Sequence, residues 1–155
     1  MKSSLLILLG FILLSAGTEP QRYKKLFNGK DLAGWTKHGT ENWYVENGEL
    51  ICESGPDKKY GYLSTDKAYD NFILDLQFKL EANGNSGVFF RSGIEGTKIS
   101  GWQVEVAPPD HHTGGIYESY GRGWLIQPKP EDEKILKADD WNQLKIQAKD
   151  DEITT

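Results

Sequence analysis

The feature that most restricts the fold of this chain is the alternating stretch FILDLQFKLE at residues 72–81. Apolar side chains occupy every second position from Phe72 to Leu80, and all but one of the positions between them are polar. A period of two places successive side chains on opposite faces of an extended strand, whereas a helix would need a period of 3.6. The stretch therefore predicts a β-strand with one face against a core and the other facing solvent.

Further short apolar segments, separated by glycine and asparagine turns, predict that the rest of the domain is also built from strands. Within residues 43–53, Asn47-Gly48 separates two alternating runs, which favours a hairpin with a type I′ turn. Residues 93–101 are expected to form a glycine-rich loop. Other predicted strands are 61–65, 88–91, 102–106, one beginning near residue 115, and 141–148. Strands at this spacing, without helical periodicity, predict an all-β sandwich or barrel, with a jelly roll as first choice.

The N-terminal sequence MKSSLLILLGFILLSAG indicates export. One lysine, an apolar run and terminal small residues are typical of a secretory signal peptide, here residues 1–17. The run is short for a membrane span, and Thr18 stands where a lipoprotein would carry cysteine, so we expect no membrane anchor after cleavage. Residues 18–25 are then a polar leader and residues 26–155 the domain, located in the periplasm or outside the cell.

Composition restricts the class of function further. The net charge is −5, which does not suit nucleic-acid binding, where a basic stripe is expected. Cys52 is the single cysteine, so the chain cannot form an internal disulfide and must be stabilised by packing. Aromatic residues make up 12% of the chain, enough to supply both a core and a surface on which sugar rings could stack.

Strand alternation also sorts the polar side chains near the middle of the chain. Gln103 and Glu105 lie on the face opposite the apolar residues of strand 102–106. Phe89 and Arg91 alternate in the same way with Val88 and Phe90. Because consecutive strands are often neighbours, these four residues are predicted to share one sheet face. The alternative is an ordinary solvated face with an Arg–Glu pair.

The segment after that strand, APPDHHTGGIYESYGRGW, brings more polar groups to the same edge. Adjacent histidines on an extended chain point apart, so at most one of His111 and His112 reaches a site, as a general base or a metal ligand. The metal signal is weak because no second, properly spaced ligand pair follows. A polar surface turn is the alternative. Further candidate groups for hydrogen bonding or stacking in this segment are Tyr117, Glu118, Tyr120, Arg122 and Trp124.

In this order, the motifs LFNGKDLAGW, WYVENGEL, NSGVFFRS, GWQVEV, TGGIYESYGRGW and DWNQLKI resemble those of a bacterial family of exported proteins. The family is the 3-keto-disaccharide hydrolase domain, also described as 3-keto-glucoside 1,2-lyase and 3-keto-2-hydroxy-glucal hydratase. The resemblance extends from Leu26 to about Ala148. It implies a concanavalin-like jelly-roll sandwich of two antiparallel sheets with a concave sugar-binding sheet. It also implies further C-terminal strands that this sequence lacks.

The same resemblance implies a substrate whose glucoside C3 has been oxidised to a ketone by a separate oxidoreductase. A divalent metal ion is implied for some members, and no nucleotide cofactor is expected. The family's characteristic polar positions match Arg91, Gln103, Glu105, His112 and Tyr117.

The chemistry of such a substrate gives each residue a hypothetical role. The C3 ketone makes the C2 hydrogen acidic, so the C1 substituent can leave by elimination and water can then add, giving net hydrolysis. His112 or Glu105 would be the base, and both are also the candidate metal ligands. Tyr117 would protonate the leaving group, and Arg91 or a metal would hold the C3 oxygen. The predicted substrate-binding residues are Phe89, Arg91, Gln103, Glu118, Arg122 and Trp124.

Two other functions are consistent with the same residues. A retaining or inverting glycosidase needs two carboxylates, which Glu105 and Glu118 could supply. A non-catalytic carbohydrate-binding module would use the same face without chemistry, because a fold of this kind does not determine function.

Overall fold

The computed structural model describes residues 23–81 and 84–155, and within them the fold is all-β. A single turn of 3₁₀ helix, Asp132–Ile135, is the only helix in that part of the chain. No helix there is long and apolar enough to cross a membrane. The strands are β1 Trp35–His38, β2 Asn42–Glu46, β3 Glu49–Glu53, β4 Tyr62–Thr65, β5 Phe72–Phe78, β6 Ser86–Glu95, β7 Lys98–Val106, β8 Ile116–Ser119, β9 Gly123–Ile126, β10 Asn142–Lys149 and β11 Glu152–Thr154.

The strands form a jelly-roll sandwich of antiparallel sheets, as predicted. The larger layers are a four-stranded sheet in the order β6-β7-β8-β9 and a three-stranded sheet in the order β11-β10-β5. Two further pairs, β1 with β4 and β2 with β3, are hydrogen-bonded separately, so the strands are divided among four sheets rather than the expected two. The predicted signal peptide, and the leader as far as residue 22, lie outside the described residues.

The core lies between the two larger sheets. Phe90, Val104 and Val106 from the four-stranded sheet pack against Leu144 and Ile146 of β10. Val104 and Ile146 are both completely buried. The alternation that predicted β5 is confirmed, because its apolar face joins this core. Partly buried side chains that complete it are Phe72, Leu74, Leu76, Phe78, Leu80, Val88, Trp102 and Ile153.

Turn residues in the sequence predict the β2–β3 hairpin correctly but not the β6–β7 hairpin. Asn47 and Gly48 have φ angles of 53° and 84°, as the predicted type I′ turn requires. The expected loop at 93–101 is wrong, because β6 continues to Glu95 and β7 begins at Lys98. Gly96, with φ of 60°, allows a tight turn there, and the cross-strand pair of Ile94 and Ile99 extends the ladder beyond the apparent loop.

Replacement of Ile146 tests the position of the core. We expect Ile146→Ala to lower the free energy of unfolding by about 2–5 kcal/mol, because it empties a fully buried site. Ile135→Ala is the matched control, since its side chain is 82% exposed and we expect a change within about 0.5 kcal/mol. Urea unfolding followed by circular dichroism measures both, and equal losses would contradict the described core.

Candidate functional site

One face of the four-stranded sheet carries a row of polar and aromatic side chains, here called the polar face. Strand register aligns Phe89, Gln103, Tyr117 and Trp124 across β6, β7, β8 and β9. Glu105 lies on the same face as Gln103, two residues further along β7. The opposite face packs into the core. The predicted grouping of Phe89, Gln103 and Glu105 is therefore confirmed.

Glu105 is held rigidly in this face by two neutral amides. Asn85 Nδ2 donates a hydrogen bond to Oε1, and Gln103 Nε2 donates to Oε2 at 2.7 Å. Gly87 stands opposite Glu105, and a Cβ there would lie 2.4 Å from Gln103 Nε2, so glycine leaves the amide its space. Burial raises the pKa of the Glu105 carboxyl, while the hydrogen bond from Asn85 and the charge of nearby His112 act to lower this pKa.

The loop after β7 is folded back over the strand end by its own hydrogen bonds. The Thr113 hydroxyl accepts from the Ala107 amide at 2.8 Å and donates to the Ala107 carbonyl at 2.7 Å. The Gly114 amide donates to the carbonyl of Glu105, and the Gly115 amide to that of His112, both at 2.9 Å. These contacts fix His112 at the end of the polar face.

His112 joins an aromatic cluster on that face. Its ring meets Trp124 edge-on with centroids 5.0 Å apart, and Trp124 meets Tyr117 in the same manner at 5.3 Å. The Trp124 side chain remains 38% exposed, so it is not a core residue. His111 is exposed and its Nδ1 lies 2.9 Å from the Pro109 carbonyl oxygen. One histidine of the pair thus reaches the site, as predicted, although the chain there is a turn in which His112 has a φ of 69° and not an extended segment.

Glu133 is a site residue that sequence reasoning missed. It lies in the 3₁₀ helix and is 6% exposed, and both of its carboxylate oxygens accept from the His112 backbone amide, at 3.1 and 3.2 Å. The surrounding letters, PEDEKI, read as an ordinary solvated charge run. Only the tertiary fold, which brings this segment beneath the histidine loop, distinguishes Glu133 from its neighbours.

The prediction that Arg91 shares the polar face is wrong. Arg91 and Ser92 lie opposite the single residue Gly101 and therefore form a β-bulge. Arg91 has a φ of 48°. The extra residue breaks the alternation on which the prediction depended. The guanidinium instead donates to the Asp150 carbonyl and to Asn71 Oδ1, and so ties β6 to the turn between β10 and β11 and to the start of β5.

Glu118 and Arg122 are also not on the polar face. Glu118 pairs in register with Trp102, whereas its neighbour Tyr117 pairs with Gln103, so Glu118 and Glu105 point to opposite sides of the sheet. The Glu118 carboxylate accepts from Trp102 Nε1 at 3.2 Å and forms an ion pair with Arg122. The two-carboxylate arrangement that a glycosidase would need from Glu105 and Glu118 is therefore not formed.

Two cavities lie against the segment 107–109 that follows β7. One, of about 420 Å³, is bounded by Asn85, His111 and the residues 107–109. Another, of about 480 Å³, lies against the same prolines and against Phe78 and Leu136. Neither is lined by His112, Tyr117 or Trp124. On the polar face itself, Gln103 and Glu105 are buried and the Tyr62 ring packs against Phe89, whereas Trp124 is exposed.

The candidate metal ligands do not complete a metal centre. Within the described ranges, no group of three or more His, Cys, Asp or Glu side chains is placed to hold an ion. Both oxygens of Glu105 already accept hydrogen bonds from amide groups. Structural and catalytic metal sites usually need at least three protein ligands, so His112 and Glu105 do not by themselves fit one.

A β-sandwich with aromatic and polar side chains on one sheet face is suited to binding a sugar, but the fold alone does not determine the function. Residues 22–155 match the sequence profile of the 3-keto-alpha-glucoside-1,2-lyase-like domain, so this chain belongs to that family. The resemblance inferred from its motifs is thereby confirmed, and with it a carbohydrate-active role at the level of the family. A search of curated proteins finds no match.

The ion pair of Glu118 generates a prediction for the pH dependence of stability. Hydrogen bonds from the side chain and backbone of Arg122 lower the pKa of Glu118 from 4.5 to about 2. A depressed folded-state pKa contributes stability above the unfolded value, and this contribution is lost as pH falls from about 4.5 towards about 2. We therefore expect Glu118→Gln to flatten the pH dependence of the melting temperature in this window. Glu131→Gln, at an exposed position, is the control, and an unchanged slope in Glu118→Gln would contradict the assignment.

Proposed function

We propose that this protein cleaves the C1 substituent from 3-keto-glucosides or 3-keto-disaccharides by elimination followed by hydration. The observation that carries the proposal is the grouping of Glu105, Tyr117 and Trp124 on one sheet face, with His112 at its end, in a chain of this family. The substrate would come from a separate oxidoreductase that forms the ketone. The N-terminal sequence supports export, so we place this reaction in the periplasm or outside the cell.

His112 is the better of the two candidate bases. Its side chain is 37% exposed, whereas Glu105 is 5% exposed and both of its oxygens already accept hydrogen bonds. A base must come within hydrogen-bond distance of the proton that it removes, which an exposed imidazole can do more readily. Glu105 then acts as a fixed negative charge that stabilises the imidazolium formed at His112.

The steps balance without a further reactant other than water. His112 takes the C2 proton, and the electrons of that bond form the enolate of the C3 ketone. Collapse of the enolate forms the C1–C2 double bond and expels the C1 oxygen, which takes a proton from Tyr117. Water then adds its hydroxyl to C1 and gives its remaining proton to the Tyr117 oxygen, while the proton on His112 returns to C2, so both side chains regain their starting states. Trp124 offers the exposed ring on which the sugar can stack. Arg91 takes no part, because its guanidinium contacts the other sheet.

A carbohydrate-binding module without catalysis is the second candidate. It is favoured by one observation, the exposed Trp124 ring on the polar face. The two candidate functions involve the same contacts with a sugar. They differ in whether the imidazole of His112 removes a proton from it.

Turnover of a 3-keto-glucoside distinguishes them. We expect the protein to consume the 3-keto-glucoside and not its unoxidised parent, because only the ketone acidifies C2. We expect His112→Ala to lower kcat about 100-fold or more, as for loss of a general base. His111→Ala is the matched control and should retain full turnover, since His111 faces the Pro109 carbonyl. Product formation is followed by liquid chromatography.

Binding of both sugars with consumption of neither would favour the module and overturn the catalytic proposal. Full turnover in His112→Ala would reject His112 as the base and leave Glu105 as the remaining candidate.

A further inference from the structure

We propose that Glu133 is the positioning residue of His112, and that its carboxylate holds the imidazole with the hydrogen on Nδ1 and a free lone pair on Nε2. The catalytic consequence of this inference rests on the proposed function, whereas the state of the imidazole does not. Glu133 would act entirely through His112, without touching the sugar.

The burial of Glu133 requires a partner. Its side chain is 4% exposed, and an ionised carboxylate is costly to bury unless hydrogen bonds and charges compensate. The backbone amide of His112 supplies such a bond to both oxygens, at 3.1 and 3.2 Å. The imidazole of the same residue supplies the nearest basic group, with Nδ1 3.7 Å from Oε1.

The surroundings of Nδ1 determine which ring nitrogen carries the hydrogen. Nδ1 is buried and makes no hydrogen bond, and at 3.7 Å the Glu133 oxygen is too distant for a full one. A bare lone pair on Nδ1 would face the negative oxygen, whereas an N–H would present a positive hydrogen to it. The N–H arrangement is favoured, and it leaves Nε2 as the acceptor. Since Nδ1 is buried while the side chain is 37% exposed, solvent and substrate reach the ring through its other atoms.

The backbone of His112 shows the same dependence on Glu133. Its φ of 69° is in the left-handed region, which is unfavourable for a residue with a side chain. The two oxygens of Glu133 accept the amide on one side, and the Gly115 amide donates to the His112 carbonyl on the other. Trp124 then packs edge-on against the ring. The imidazole is thus held between Glu133 and Trp124.

The 3₁₀ helix is built to present this one carboxylate. The Lys129 amide donates to Asp132 Oδ2 at 3.1 Å, and the Leu136 amide donates to the Glu133 carbonyl at 3.0 Å, which closes the turn at both ends. Glu133 is the one buried residue of this helix, whereas its neighbours Asp132 and Lys134 and the preceding Glu131 are exposed. Three acidic residues in a row therefore differ in role because only one points inward.

Nitrogen NMR of the histidine rings tests the inference without any substrate. The sequence contains three histidines, so the ring signals can be assigned with His111→Ala and His112→Ala. Above the pH at which the imidazole is neutral, we expect His112 in the wild-type protein to carry its hydrogen on Nδ1. We expect Glu133→Gln to shift this population towards Nε2–H, because the negative charge is lost while an oxygen acceptor for the backbone amide is kept. Glu131→Gln removes the same charge at the residue that precedes the helix and should leave the ring unchanged.

A His112 ring with its hydrogen on Nε2 in the wild-type protein would overturn the inference, and this outcome does not depend on whether Glu133→Gln folds. An unchanged ring in a folded Glu133→Gln would overturn it as well.

Kinetics separate this inference from the proposed function. If the protein turns over a 3-keto-glucoside, we expect Glu133→Gln to lower kcat by at least about tenfold with little change in KM. The double variant Glu133→Gln/His112→Ala should have the same kcat as His112→Ala alone, because Glu133 acts only through the His112 ring. An additional loss in the double variant would contradict a positioning role. If the wild-type protein has no turnover, the proposed function fails, and the ring measurement still decides the role of Glu133.

Discussion

The burial of alternate side chains of β7 between two sheets is the constraint on which the rest of this structure depends. Val104 and Val106 pack against Leu144 and Ile146 of β10, and Val104 and Ile146 are completely buried. Because the side chains of a strand alternate between its two faces, this packing places Gln103 on the opposite face, which is the polar face. A slip of one residue in register would exchange the two sets and place polar groups in the core. The core therefore positions the chemistry.

On that face, three groups have distinct surroundings. Glu105 is buried and bound by two neutral amides, His112 is accessible at the loop, and Trp124 is an exposed ring beside it. Burial disfavours the charged form of the Glu105 carboxylate, whereas the hydrogen bond from Asn85 and a positive charge on His112 favour it, so a cation at His112 and an ionised Glu105 stabilise each other. A deprotonation that creates an imidazolium beside a fixed carboxylate uses this arrangement. In the proposed mechanism the two roles follow from access, because the accessible His112 would move the proton and the buried Glu105 would stabilise the resulting charge.

The parts of the site that follow from local alternation could be predicted from sequence. Gln103, Glu105 and Phe89 were placed on one face by a period of two, without knowledge of the fold. Arg91 was misplaced because a bulge opposite Gly101 inserts one extra residue, and nothing in NSGVFFRSG marks it. The prediction for Glu118 is wrong because the sheet face on which it lies depends on the register between β8 and β7, and the sequence of β8 alone does not determine that register. Glu133 was missed because its burial arises from a contact between segments 21 residues apart.

The fate of the C2 hydrogen is the most direct test of the central claim, that His112 removes this proton before the C1 bond breaks. The reaction is run in D₂O, and the free 3-keto sugar is analysed by mass spectrometry and proton NMR, with the pure product incubated alone to correct for spontaneous exchange. Elimination and hydration predict deuterium at C2 of the enzymatic product above this background, and loss of product formation in His112→Ala. A product that keeps its original hydrogen at C2 would show that the C1 bond is broken by direct hydrolysis, and would contradict the account.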